Sequence, residues 1–189
     1  MTSWIIIAAI ILIVVISLVS MYNGLVRRRN EIQNVQGSID ALLKQRFDLL
    51  PNLVATVKQY AAHEASTFES VTALRKGKSS YSELSADEKA AFDRGFGLGL
   101  RDFYAVAENY PELKASENFM HLQRTLNELE EQLSAARRTY NATVTSYNNA
   151  VQTFPSSVIA SMFGFRPQQV LATPPEEQRV PNVGNLFGN

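Results

Sequence analysis

Residues 119–154 read FMHLQRTLNELEEQLSAARRTYNATVTSYNNAVQTF. Phe119, Leu126, Leu133, Tyr140, Tyr147 and Phe154 recur every seven residues, and Leu122, Leu129, Ala136, Thr143 and Ala150 fill a second position. An apolar stripe with that period is one face of a long helix packed on other helices. Five heptads of helix span about 54 Å. Ser116 is placed to cap the start, and Pro155 to stop the end. This stretch predicts an all-α chain.

The same pattern extends upstream. Leu25, Ile32 and Ile39 lie seven apart, with Val35 and Leu42 on the adjoining stripe. Leu50, Val57 and Val71 interleave with Leu53, Tyr60 and Leu74. A capping box, Ser85 with Glu88, opens a third helix carrying Phe92, Phe96, Phe103, Val106 and Tyr110 as far as Pro111. Gly95, Gly97 and Gly99 fall inside that helix with no strand before them, so no phosphate loop is expected; Gly95 and Gly99, four apart, either allow a close helix contact or weaken that segment. Pro51 leaves two topologies open. Either it kinks one long helix running to Lys76, or it opens a second helix after a tight turn. Asp48-Leu49-Leu50-Pro51 favours the turn, because a proline in the first helical turn loses no hydrogen bond. The expected architecture is therefore an antiparallel four-helix bundle over residues 23–154. Alternating helix directions would bring Phe154 and the basic cluster Arg75, Lys76 and Lys78 back to the end where the bundle begins. A solvated helix end is the plain alternative for that cluster.

Residues 1–22 are expected to form a transmembrane anchor. Trp4 to Val19 is apolar apart from Ser17. Carried on to Tyr22, the helix is about 28 Å long, close to the thickness of a bilayer core. Trp4 and Tyr22 mark its ends, where aromatic rings prefer the interface. A signal peptide would need a basic start and a small-x-small cleavage site, and Ser20-Met21-Tyr22 is a poor one. Arg27, Arg28 and Arg29 follow the span, while the preceding flank has no Lys or Arg. By the positive-inside rule the N-terminus is out and the bundle cytoplasmic, which for a bacterium means a single-pass protein of the cell (inner) membrane.

Residues 155–189 hold five of the seven prolines. A short apolar helix is expected near Val158–Phe163, then extended chain beyond Pro167. Val158, Ile159, Met162, Phe163 and Phe165 need cover, and Leu186 and Phe187 stand alone in a polar tail. These seven are candidate contacts between copies in a homo-oligomer.

Composition removes much chemistry. The chain has 189 residues, no Cys and two His. Disulfides, thiolate metal sites and cysteine nucleophiles are excluded. Lys plus Arg and Asp plus Glu are 18 each, so the chain as a whole is no nucleic-acid binder. His63-Glu64 fails as a zincin motif, because position 67 is Thr. Glu64 falls on the inward stripe and needs a buried partner. Arg137, Arg138, Tyr140 and Asn141 are the candidates. A structural ion pair fixing helix register is the preferred reading over a polar site. No catalytic, metal or cofactor-binding residues emerge.

Certain segments carry a family resemblance. They are Tyr22-Asn23-Gly24-Leu25-Val26 with Arg29-Asn30, Ile39-Asp40, and Leu43-Lys44-Gln45-Arg46-Phe47-Asp48-Leu49-Leu50-Pro51-Asn52-Leu53-Val54. Val57-Lys58, Tyr60 and His63-Glu64 follow, then Glu108-Asn109-Tyr110-Pro111-Glu112-Leu113-Lys114. Arg137, Tyr140-Asn141, Tyr147-Asn148 and Phe154-Pro155 complete the series. The chain resembles the LemA family of bacterial membrane proteins, with Gly37-Ser38 a departure from the bulkier pair expected there. The resemblance implies a membrane helix followed by an antiparallel four-helix bundle, with no established catalytic residues and no cofactor. A similar protein belongs to the magnetosome membrane system, which points towards organising membranes or partner proteins. The expected function is a non-enzymatic, self-assembling scaffold bound to the lipid bilayer. An adaptor or regulator of another membrane protein, such as a protease or signalling system, is the alternative.

Overall fold

A computed structural model describes residues 2–60, 78 and 80–171. Among these residues every regular element is helical. Helix α1 runs Thr2–Tyr60, a 3-10 turn covers Tyr81–Glu83, and α2 runs Ala86–Asn109. Helix α3 is the single turn Pro111–Ala115, α4 is Glu117–Gln152, and α5 is Ser156–Met162. The all-α class and the long apolar N-terminal helix are as expected.

The turn at Pro51 is not. Helix α1 passes through it as 59 continuous residues, about 88 Å of helix. An interior proline forfeits one backbone hydrogen bond and strains the preceding turn, a cost of about 3 kcal/mol. Burial on both sides offsets that cost. Leu50, Leu53 and Val57 are buried around it, while Pro51 itself is exposed. Fully burying each such side chain contributes roughly 1.5–3 kcal/mol. The heptad phase also never breaks: Leu25, Ile32, Ile39, Arg46 and Leu53 lie seven apart and all are buried. The first two expected bundle helices are thus one helix as far as Tyr60. Val71 and Leu74 lie outside the described residues.

Local signals near the other helices hold. The Ser85 hydroxyl accepts from the Glu88 N–H, and the Glu88 carboxylate accepts from the Ser85 N–H. Those bonds, with Lys78, lower the Glu88 pKa. Pro111 ends α2 and serves as the first residue of α3. The Ser116 hydroxyl accepts from the Phe119 N–H, as a cap for α4 should. The α4 stripe is buried from Phe119 to Tyr147, but α4 ends at Gln152 and Phe154 is exposed. Gly99 is buried in α2, whereas Gly97 faces open space.

The described residues divide into two compact units, one within Met1–Asn34 and Arg137–Asn189, the other within Val35–Ala136. In the second unit, aromatic rings from α1, the 3-10 turn and α2 pack edge to face. Phe47 lies 5.5 Å from Phe92 and 6.3 Å from Tyr81, centroid to centroid. Phe103 of α2 stacks at 4.9 Å on Phe119 of α4.

Candidate functional site

The first unit contains the segment with the least protein cover. From Thr2 to Ser20 every side chain of α1 is exposed, including Trp4, Ile11 and Val19. The helix is long and apolar enough to cross a membrane. Cover begins abruptly at Leu25, which is buried. A contiguous apolar surface of that size, uncovered by protein, calls for a non-aqueous partner.

Tyr22 sits at this boundary and carries the C-terminal part of the fold. The Phe163 and Phe165 rings pack against it with centroids 4.8 and 5.8 Å away. Both follow α5, whose Ile159 and Ala160 are buried. Gly164 closes the helix at φ +72°, a conformation that a side chain disfavours. It allows the Phe165 N–H to reach the Ala160 carbonyl at 2.9 Å. The Ser156 hydroxyl donates to the Ala150 carbonyl at 2.6 Å, tying α5 to the end of α4.

Beyond α5 the chain runs back along α4 without regular structure, held by two asparagines. Asn148 donates its amide to the Gln168 carbonyl and accepts from the Gln168 N–H, each at 2.8 Å. Asn141 treats Leu171 identically, at 3.0 and 2.8 Å. Seven helical residues rise about 10.5 Å, and three extended residues span about 10 Å. The two clamps therefore match in pitch. They bind main chain only, so they impose direction and register without reading side chains. Beside them Arg28 donates to the Ser146 hydroxyl and carbonyl. Burial raises the Tyr147 phenol pKa, with the Arg29 cation opposing.

In the second unit the distinctive feature is Arg46, 3% exposed. Its guanidinium donates to Asp93 of α2 at 2.9 Å and to Glu130 of α4. It also lies 4.9 Å over the Phe96 ring. Two carboxylates and an aromatic face thus compensate one buried cation and tie three helices together. The neighbouring Tyr81 hydroxyl is buried with no hydrogen-bond partner among the described residues. Burial pushes its pKa up to about 12, reinforced by the Asp40 and Asp93 charges.

The residues singled out in the sequence are placed as follows. Glu64, Arg75, Lys76, Leu186 and Phe187 lie outside the described residues. Arg137 is half-buried, Arg138 exposed and Tyr140 buried. Asn141 donates to and accepts from the Leu171 main chain. Lys78 binds the Glu83 carbonyl and the Glu88 carboxylate in the second unit, while Arg27, Arg28 and Arg29 belong to the first. Ile159 is buried within its own unit and is no surface for a second copy. Val158, Met162 and Phe163 are exposed, and Phe165 is half-buried against Tyr22.

Sequence reading missed Arg46 and the asparagine clamps. Arg46 had a signal, since it stands seven residues after Ile39 and seven before Leu53. Asn141 and Asn148 had one as well, each following a tyrosine of the buried stripe.

The model of the LemA family matches residues 35–184, a span that contains Arg46 and both clamps. Among curated proteins, the chain is similar to the magnetosome protein MamQ of Magnetospirillum gryphiswaldense, at 26% identity over 79% of this chain and 64% of that protein. Magnetosome protein MamQ 1 of Paramagnetospirillum magneticum is 27% identical over the same shares. Protein LemA of Metamycoplasma hominis is 29% identical over 73% of this chain and 63% of its own length. The chain thus spans just under two thirds of these relatives. The apolar helix and these relatives mark a membrane-associated protein, and the family match places the chain in the LemA family.

Proposed function

We propose that this protein is a membrane-anchored, non-enzymatic scaffold that self-assembles at the bacterial cell membrane. The observation that carries the reading is the continuity of α1. One helix carries the uncovered apolar segment on into the helical core with no linker, so the body begins where the span ends. In this reading residues 1–22 are the anchor, 23–154 the helical body and 155–189 the tail. The basic residues Arg27 to Arg29 support a cytoplasmic body. The relatives carry the names of a magnetosome protein and of the family itself, not of a reaction, which supports a structural role. Copies anchored in one plane are already at high effective concentration, so weak contacts suffice. Leu186 and Phe187 are the candidate contacts.

Native mass measurement of the full chain in mild detergent tests this. A closed homo-oligomer is expected. A monomer refutes self-assembly, and a monomer with a stoichiometric co-purifying membrane protein supports an adaptor instead.

A further inference from the structure

We propose that α5 and its flanks form a second, interfacial membrane contact, with Phe154, Val158, Met162 and Phe163 seated at the headgroup–acyl boundary of the bilayer that α1 crosses. The inference rests on the membrane-anchored reading above.

Three independent observations lead there. The first is an inverted pattern of exposure. Ile159 and Ala160 already face inward, Val158 and Met162, four apart on α5, are 49% and 72% exposed, and Phe154 in the turn before it is 78% exposed. Phe163 adds 59%. Four large apolar side chains exposed on α5 and its immediate flanks are not a water-facing surface.

The second is charge. From Thr139 to Phe165 the chain contains no Asp, Glu, Lys, Arg or His. Residues Thr2–Val26 lack them too. Each uncharged stretch is followed by arginine, Arg166 in one case and Arg27 to Arg29 in the other. Cations at the edge of an apolar surface suit anionic headgroups.

The third is depth. Phe163 and Phe165 rest on Tyr22, the residue that ends the uncovered part of α1. Tyrosine at the end of a span marks the headgroup level, and an interfacial apolar face reaches about 5–10 Å below it. The ring contacts therefore set the level of α5 by the level of the span. The Gly164 cap, the Ser156 bond and the two asparagine clamps keep the exposed side chains from turning inward.

Because the chain lacks cysteine, single cysteines introduced at Leu12, Phe154, Met162 and Arg124 accept an environment-sensitive fluorophore. The full chain is reconstituted in phosphatidylcholine vesicles containing phosphatidylglycerol, and quenching is compared between a lipid-borne and a water-soluble quencher. The expected result is lipid quenching at residues 12, 154 and 162, with aqueous quenching at 124. Aqueous quenching at 154 and 162, with lipid quenching retained at 12, overturns the interfacial contact and leaves the anchor intact. Protection of 154 and 162 from both quenchers overturns it in favour of a second copy covering them. Aqueous quenching at 12 as well means that the anchor reading has failed.

Discussion

In the unit drawn from Val35–Ala136 a guanidinium lies inside the core, matched by carboxylates from two other helices. In the unit drawn from Met1–Asn34 and Arg137–Asn189 the described tail is fixed by amides and a hydroxyl instead. Both solutions satisfy buried polar groups, but their requirements differ. A buried ion needs a counter-ion and good geometry, and removing its partner leaves an uncompensated charge. An amide clamp carries no charge and tolerates the apolar side of a membrane boundary at lower cost.

The largest effect expected from breaking this contrast is at Arg46. Arg46→Met removes the cation that Asp93 and Glu130 both bind. We expect a loss of about 3 kcal/mol, the lower end for breaking a buried pair, because both carboxylates keep some solvent. Chemical denaturation of the full chain in detergent, followed by helical circular dichroism, measures it. An equal loss on substituting Asn148 would mean that the two kinds of fixing are equivalent.

Next come the clamps. Asn141→Ala with Asn148→Ala removes four hydrogen bonds to main chain, each worth about 0.5–1.5 kcal/mol net. The loss should stay local, freeing the tail while the Val35–Ala136 core keeps its stability. Hydrogen exchange reads it directly: the Gln168 and Leu171 amides lose protection, and amides around Arg46 do not. Asn148→Asp keeps the acceptor and loses the donor, so it should protect the Gln168 amide better than alanine does.

The smallest effect sharpens the charged unit. Tyr81→Phe removes a buried hydroxyl that lacks a partner among the described residues, and should stabilise the chain by about 1 kcal/mol at neutral pH. It also has a pH signature. The folded phenol, at about 12, holds its proton more tightly than an unfolded tyrosine near ~10. This preference for the protonated phenol leaves stability unchanged below the unfolded value and lowers it as pH rises from there through the folded one. Wild type should therefore weaken more than Tyr81→Phe across that alkaline window, measured by paired denaturant titrations.

What the sequence determined by itself was local. Heptad spacing, the Ser85–Glu88 box, the Ser116 cap and the apolar run each depend on residues within a turn or two of one another, so periodicity and capping chemistry are enough to read them. The family motifs even contained Arg46, Asn141 and Asn148, without saying what they hold. Their partners are 47, 84, 30 and 20 residues away in the chain, and no local rule reaches that far. Pro51 belongs to the same class. Its neighbourhood reads as a turn by propensity, yet the helix continues in phase through it with Leu50, Leu53 and Val57 buried. That burial outweighs the one backbone hydrogen bond a proline removes, so the tertiary structure, not the dipeptide, decided the path of the chain.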